Sequence, residues 1–166
     1  MKVHSRKLND VDFKDMRALL LEEGPNEWNY LTHESIDHQF SLIKEEKAIA
    51  VLAEGDRIVG FSVLIFRGAC SGKVEKYSLL AQTAYINDVV VSARHSGKGL
   101  GCDLLLEAVS LASRDGCDSV YIERHEDNVA SAGMMRKAGF EIVDTFHDPK
   151  KRSSGSRNTV MLCKKT

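Results

Sequence analysis

"INDVVVSARHSGKGLGCDLL", residues 86–105, decides how the rest of the chain is read. It opens on a β-rich run that ends in Val89, Val90 and Val91, the continuous apolar pattern of a buried central strand. It closes on Leu100, Leu104 and Leu105, a helical spacing that continues through Ala108, Leu111 and Ala112, with Gly116 just past the end. The helix is expected to start near Gly97 or Lys98. Between strand and helix stand Gly97, Gly99 and Gly101, beside Arg94, His95 and Lys98. The first N–H groups of a helix have no partner within it and carry partial positive charge. Glycines let the backbone approach an anion without a Cβ in the way, and successive N–H groups can wrap it. A glycine-rich turn that binds nothing is the plainer reading of the loop alone. The richer one is a pyrophosphate cradle.

Three known phosphate loops do not fit. A Walker loop needs a hydroxyl after Lys98, where Gly99 stands. A dinucleotide fingerprint needs a glycine where Leu104 stands. A kinase glycine loop precedes a strand, whereas this one precedes a helix.

Working outward, "KVHSRKLN" opens as a strand. Phe13, Met16, Ala18, Leu19 and Leu20 suit a helix over 12–21, which Gly24 and Pro25 break. "HESIDHQFSLIKEE" resumes helical spacing, and "AIAVLAEGDRIVGFSVLIF" is a hairpin around "EGDR". "SGKVEKYSLL" reads as a loop or a distorted strand start. "SVYIER" is a strand, "VASAGMMRKA" a helix ending at Gly139, and "FEIVDTF" and "TVMLCKK" are closing strands around the basic loop "DPKKRSSGSR", read as solvated. The order β, two helices, hairpin, β-α-β-α-β-β gives an α/β (α+β) fold, a mixed sheet flanked by helices, as a single domain over 1–166. The ligand is expected at the strand ends of the two strand–helix units.

With 23 Lys+Arg against 24 Asp+Glu, the net charge of -1 argues against a nucleic-acid binder. Cys70, Cys102, Cys117 and Cys163 show no CxxC spacing, and no stretch reads as a signal peptide or membrane span, so free thiols in a cytoplasmic setting are expected. His33, Glu34 and His38 resemble HExxH but are one residue too long, and no metal is expected.

The strand, loop and helix of 86–105 resemble the acetyl-coenzyme A signature of GNAT-type N-acetyltransferases, [Q/R]-x-x-G-x-[G/A]. Two registers fit: Arg94 with Gly97 and Gly99, or Ser96 with Gly99 and Gly101. The second agrees better with the strand-to-loop distance but puts Ser where the family has Arg or Gln. "NVASAGMMRKAGF" resembles a second family signature, N-x-x-A-x-x-x-Y-x-x-x-G-F. Asn128, Gly139 and Phe140 match, Ser131 replaces Ala, and Met135 replaces Tyr. The resemblance implies a mostly antiparallel sheet of six to seven strands whose fourth and fifth strands splay. Pantetheine would enter that V beside Val89, Val90 and Val91. The pyrophosphate would rest on amides from Ser96, Gly97, Lys98, Gly99, Leu100, Gly101 and Cys102, and Asn128, Ser131 and Met135 would border the coenzyme.

The implied reaction is attack of a primary amine, on a small molecule or a protein, on the acetyl thioester of acetyl-CoA. Asp88 and Glu123 are the candidate bases, and the Val89 N–H is the candidate oxyanion donor. Met135 cannot protonate a leaving thiolate as Tyr would, so a coenzyme-binding regulatory module with weak or no catalysis is the alternative. Glu27, Trp28 and Tyr30 are candidate lining for a cationic acceptor, with core packing of the aromatics as the other reading. The family often forms homodimers.

Overall fold

The computed structural model describes residues 1–24, 28 and 31–166, and within them one sheet holds seven strands. They are β1 (Lys2–His4), β2 (Ala48–Glu54), β3 (Ile58–Phe66), β4 (Thr83–Val91), β5 (Ser119–His125), β6 (Glu141–His147) and β7 (Asn158–Lys165). The spatial order is β1-β2-β3-β4-β5-β7-β6, and β4–β5 is its parallel pair, with every other neighbour antiparallel. The expected mixed, mostly antiparallel sheet is therefore present.

Helices α1 (Asp10–Glu23) and α2 (His33–Lys44) cover one face, and α3 (Leu100–Arg114) and α4 (Val129–Lys137) the other. Both N-terminal helices begin in reciprocal caps. The Asn9 side chain accepts from the Asp12 amide while Asp12 accepts from the Asn9 amide, and Thr32 and Ser35 do the same for α2. The period-2 alternation of β-structure sends adjacent residues into separate cores. Ile122 and Leu162 pack with Leu104, Leu105 and Ala108 on the α3 side. Tyr121 and Met161 pack with Met16, Leu20 and Phe40 on the α1–α2 side. Among the described residues no helix is long and apolar enough to cross a membrane.

One local expectation is corrected. Helix α3 starts at Leu100, not near Gly97 or Lys98, because Gly97 and Gly99 hold φ of 75° and 78°, which a right-handed helix cannot use. The segment from Arg67 to Gln82 is a series of short 3₁₀ turns, in keeping with the loop reading of "SGKVEKYSLL", and β4 begins at Thr83.

The feature that positions the site lies at the centre of the sheet. Strands β4 and β5 pair from Thr83↔Ser119 to Ile86↔Ile122 and then part, although β4 runs on to Val91 and β5 to His125. At the same point β4 carries a bulge. Ser62 faces Val89 and Leu64 faces Ile86, so Asn87 and Asp88 together oppose Val63. An extra residue bends its strand, and here the bend opens the sheet into a V.

Candidate active site

The V is a cleft. Asp88, Val89 and Val90 from β4 line it opposite Glu123 and Arg124 from β5, with Asn128, Ser131 and Met135 from α4 at one end. Leu20 and Leu31 close the side of the N-terminal helices. Seven residues singled out in the sequence (Asp88, Val89, Val90, Glu123, Asn128, Ser131 and Met135) thus line one cleft. A second recess continues from it past Asn87, Asp88 and Glu123 to Ser35, Tyr85, Lys151 and Arg152.

The two candidate bases differ in their surroundings. Gln39 on α2 donates its amide N–H to Asp88 Oδ2 at 2.5 Å, and its Oε1 accepts from Asn87 Nδ2 at 3.3 Å. One side-chain amide therefore holds both residues of the bulge. Burial lifts the Asp88 carboxyl above its usual range, against Gln39 and Lys151, which act to lower it. Glu123 is more crowded. Its side chain is 3% exposed, and the Tyr85 hydroxyl donates to Oε1 at 2.8 Å. Lys151 Nζ lies 3.2 Å from both carboxylate oxygens, Lys73 Nζ 3.7 Å from Oε1 and Arg152 Nη2 3.8 Å from Oε2. Burial acts to raise this carboxyl, but Lys151, Lys73 and the Tyr85 hydroxyl together hold it below its ordinary range. The Glu123 oxygens are occupied by their cations and the Tyr85 hydroxyl, whereas Asp88 accepts from Gln39 and its carboxyl is raised by burial.

The glycine loop stands at the head of α3. Among the described residues, the N–H groups from Gly97 to Cys102 have no backbone acceptor. A Cβ built on Gly97 or Gly99 would meet nothing within 4 Å, so the space above these amides is open. Side chains contribute little. Ser96 Oγ donates back to the Ala93 carbonyl at 2.9 Å, Leu100 is buried in the core, Cys102 packs partly against it, and Lys98 is exposed. Val91 also packs against that core. What remains for an anion is backbone, as a nest at a helix N-terminus requires. Gly101 has a second function, because a Cβ there would come within 2.6 Å of Met134 Sδ, so α3 and α4 approach closely at this point. On α4, Asn128 Oδ1 accepts from the Ser131 amide at 3.1 Å and caps the helix, while Met135 is 3% exposed.

The basic loop is not merely solvated, contrary to the reading of its composition. Arg152 is 4% exposed, and its Nε donates to Thr159 Oγ1 at 2.9 Å while Nη1 donates to the Trp28 carbonyl at 3.3 Å. The Trp28 ring lies 4.8 Å from the His125 ring, so this aromatic is joined to the end of β5. Glu27 and Tyr30 lie outside the described residues. Gln39, Lys73, Arg124, Lys151 and Arg152 escaped the sequence reading, and the "DPKKRSSGSR" charge run was the one signal for the last two. Arg124 is unusual among them. Its Nη1 donates to the carbonyls of His125 and Glu126 at 3.2 and 2.9 Å, and its buried Nε has no partner among the described residues. Among the described residues no group of three His, Cys, Asp or Glu side chains is gathered as for a metal ion.

Residues 13–140 match the acetyltransferase (GNAT) family. The chain is 33% identical over 61 residues to the GCN5-related N-acetyltransferase 6, chloroplastic, of Arabidopsis thaliana, a match that takes in 37% of this chain and only 21% of that relative. In fold it is similar to a Bacillus subtilis acetyltransferase in complex with CoA, with a TM-score of 0.70 and 21% identity over 99% of each chain. It is also similar to an aminoglycoside acetyltransferase in complex with coenzyme A, with a TM-score of 0.75 and 19% identity over 99% of this chain and 95% of that one. The family match runs through the bulged β4, the glycine loop, α3 and α4 up to Phe140, and on that ground the chain belongs to the acetyltransferase (GNAT) family.

Proposed function

We propose that the protein transfers an acetyl group from acetyl-CoA to a primary amine by direct attack within a ternary complex. One observation carries this reading. The V between β4 and β5 puts a carboxylate with a raised pKa, Asp88, in a cleft that α4 also lines, near the end of the strand that leads into a loop of open amides at the head of α3.

Each part has a physical role. The amides from Gly97 to Cys102 would hold the coenzyme pyrophosphate. The β4 backbone from Val89 to Val91, beyond its pairing with β5, would receive the pantetheine arm. A lysine-like amine, with a pKa of about 10.4, is neutral in only about one molecule in 10³ near pH 7.4, a deficit of roughly 4 kcal/mol. Asp88 is the group placed to take that proton, directly or through water. Glu123 holds its cations and does not abstract the proton. The bulge frees backbone N–H groups from the ladder, and the Val89 N–H would face the developing oxyanion. The thiol leaves as thiolate, tolerable at a pKa of about 8.5. Met135 packs beside the arm as an apolar wall.

Met135 also supports a second reading, a coenzyme-binding module without turnover, because a buried thioether cannot donate a proton to the leaving thiolate. Thiol release from acetyl-CoA in the presence of an amine panel tests the choice. Release that requires an amine, with mass-spectrometric identification of the acetylated product, is the expected result. Coenzyme binding without release on every amine would leave the module.

A further inference from the structure

Glu123 draws cations from two separate segments. Lys73 comes from the turns between β3 and β4, and Lys151 and Arg152 from the loop between β6 and β7. One carboxylate balances one of them. Asp148 balances another, with its Oδ2 3.7 Å from Lys73 Nζ. The group therefore holds three positive charges, Lys73, Lys151 and Arg152, against Glu123 and Asp148, and Asp88 in the same recess supplies the third negative charge. The two ammonium groups face outward. The side chains of Lys73 and Lys151 are 41% and 45% exposed, while Glu123 is 3% exposed beneath them.

Lys151 also lines the recess that contains Asp88. Its ammonium acts on both carboxyl groups, lowering each of them. The recess thus presents a carboxylate at the parting of β4 and β5, where the reacting amine arrives. Across from it, on the β6–β7 loop side, it presents the half-exposed ammonium of Lys151. A polycation entering here brings a second ammonium against Lys151. An amine with a neighbouring anionic group meets a complementary charge at each end, and such pairing rewards one acceptor while rejecting the other.

We infer that the acceptor is an amino-acid-like zwitterion, whose amino group faces Asp88 and whose carboxylate is received by Lys151. The inference rests on the transferase reading above. The ammonium of the zwitterion first loses one proton to Asp88; the neutral nitrogen then forms the new N–C bond as the C–S bond of the thioester breaks, and the second proton leaves the nitrogen for the departing thiolate or water. The carboxylate of the acceptor takes no part in bond making.

Thiol release from acetyl-CoA is measured with free amino acids, the corresponding amino amides, spermidine and kanamycin. At least one amino acid should exceed its own amide and both polycations by tenfold or more in kcat/KM. Lys151→Glu should lower kcat/KM for that amino acid by tenfold or more, mainly through KM, and raise it for spermidine, with coenzyme A affinity by calorimetry unchanged. Lys151→Gln, which removes the charge without reversing it, should shift the same ratio less, and its thermal midpoint reports on folding. Spermidine or kanamycin turned over faster than every amino acid, amides matching their acids, or Lys151→Glu depressing all acceptors alike would each overturn the acceptor class and leave the transferase reading standing. Release with no amine at all would overturn both.

Discussion

The Tyr85 hydroxyl donates to Glu123 Oε1 at 2.8 Å across the parallel pair of β4 and β5, one residue short of where those strands part on the β4 side. Burial raises the Tyr85 hydroxyl well above its ordinary value, and the adjacent Glu123 charge adds to the effect, so it remains a donor at every working pH. The bond fixes the carboxylate at the apex of the V, where Lys73, Lys151 and Arg152 gather around it.

Glu123→Gln should therefore destabilise the fold. Breaking a fully buried pair costs about 3–5 kcal/mol, and the half-solvated ammonium groups of Lys73 and Lys151 reduce this to about 2 kcal/mol. The folded carboxyl lies below its unfolded value. Its contribution is thus present above the unfolded value, near pH 4.3, and is lost as pH falls through the folded one. Thermal midpoints of wild type and Glu123→Gln should differ at pH 7 and converge in acid. A constant gap across that range would contradict the electrostatic account.

Asp88→Asn should behave in the opposite way. Its carboxyl is raised by burial, so removing the charge relieves a penalty, and the thermal midpoint should hold or rise at pH 7. Turnover should fall by about 10²–10⁴-fold, the contribution of a placed base, with coenzyme affinity unchanged. In wild type, kcat/KM should climb with pH through a value above the usual aspartate range of about 3.9, as the carboxylate forms. Steady-state rates from acid to neutral pH check both points, and an Asp88→Asn enzyme of normal rate would remove Asp88 from the mechanism.

At the glycine loop, Gly99→Asp and Gly101→Asp are each expected to abolish coenzyme binding. The first forces a side chain onto φ of 78° and places a carboxylate in the nest. The second brings a carboxylate into the first turn of α3 beside the nest and makes the Met134 side chain, whose Sδ lies 2.6 Å from the new Cβ, give way. Lys98→Ala, at an exposed position, should weaken binding by only about 0.5–1.5 kcal/mol, because the backbone is the main donor. Calorimetry with coenzyme A decides, and normal affinity in Gly101→Asp would dismiss the pyrophosphate assignment.

Met135→Tyr asks whether the missing hydroxyl limits the rate. The side chain is 3% exposed and belongs to the core beneath the cleft, so a larger ring should cost about 1–3 kcal/mol through overpacking. Turnover is expected to stay level or fall. A rise of tenfold or more, strongest above neutral pH, would show that thiolate protonation is the step in need of help.

The strand, the glycines and the leucine stripe of 86–105 were legible because they are local: each rests on a period of two or 3.6 or on a backbone needing no Cβ. The order of elements then implied the sheet. What could not be read was convergence. Lys73 and Lys151 lie 50 and 28 residues from Glu123 in sequence, and Gln39 lies 49 from Asp88, so no spacing rule connects them. A charge run such as "DPKKRSSGSR" has the composition of a solvated loop. Only the packing of the loop between β6 and β7 against β5 turns Arg152 inward. The start of α3 was misplaced for a related reason, since sequence shows where a glycine is permitted but not which sign its φ takes.

Gln39 has one amide and commits both of its ends to the β4 bulge. The helix that carries it also lends Ser35 to the recess beside Asp88. Rebuilding α2 to reshape that recess would therefore disturb the hold on Asp88 at the same stroke. Any redesign of this helix has to keep an amide at position 39 or supply a substitute for it.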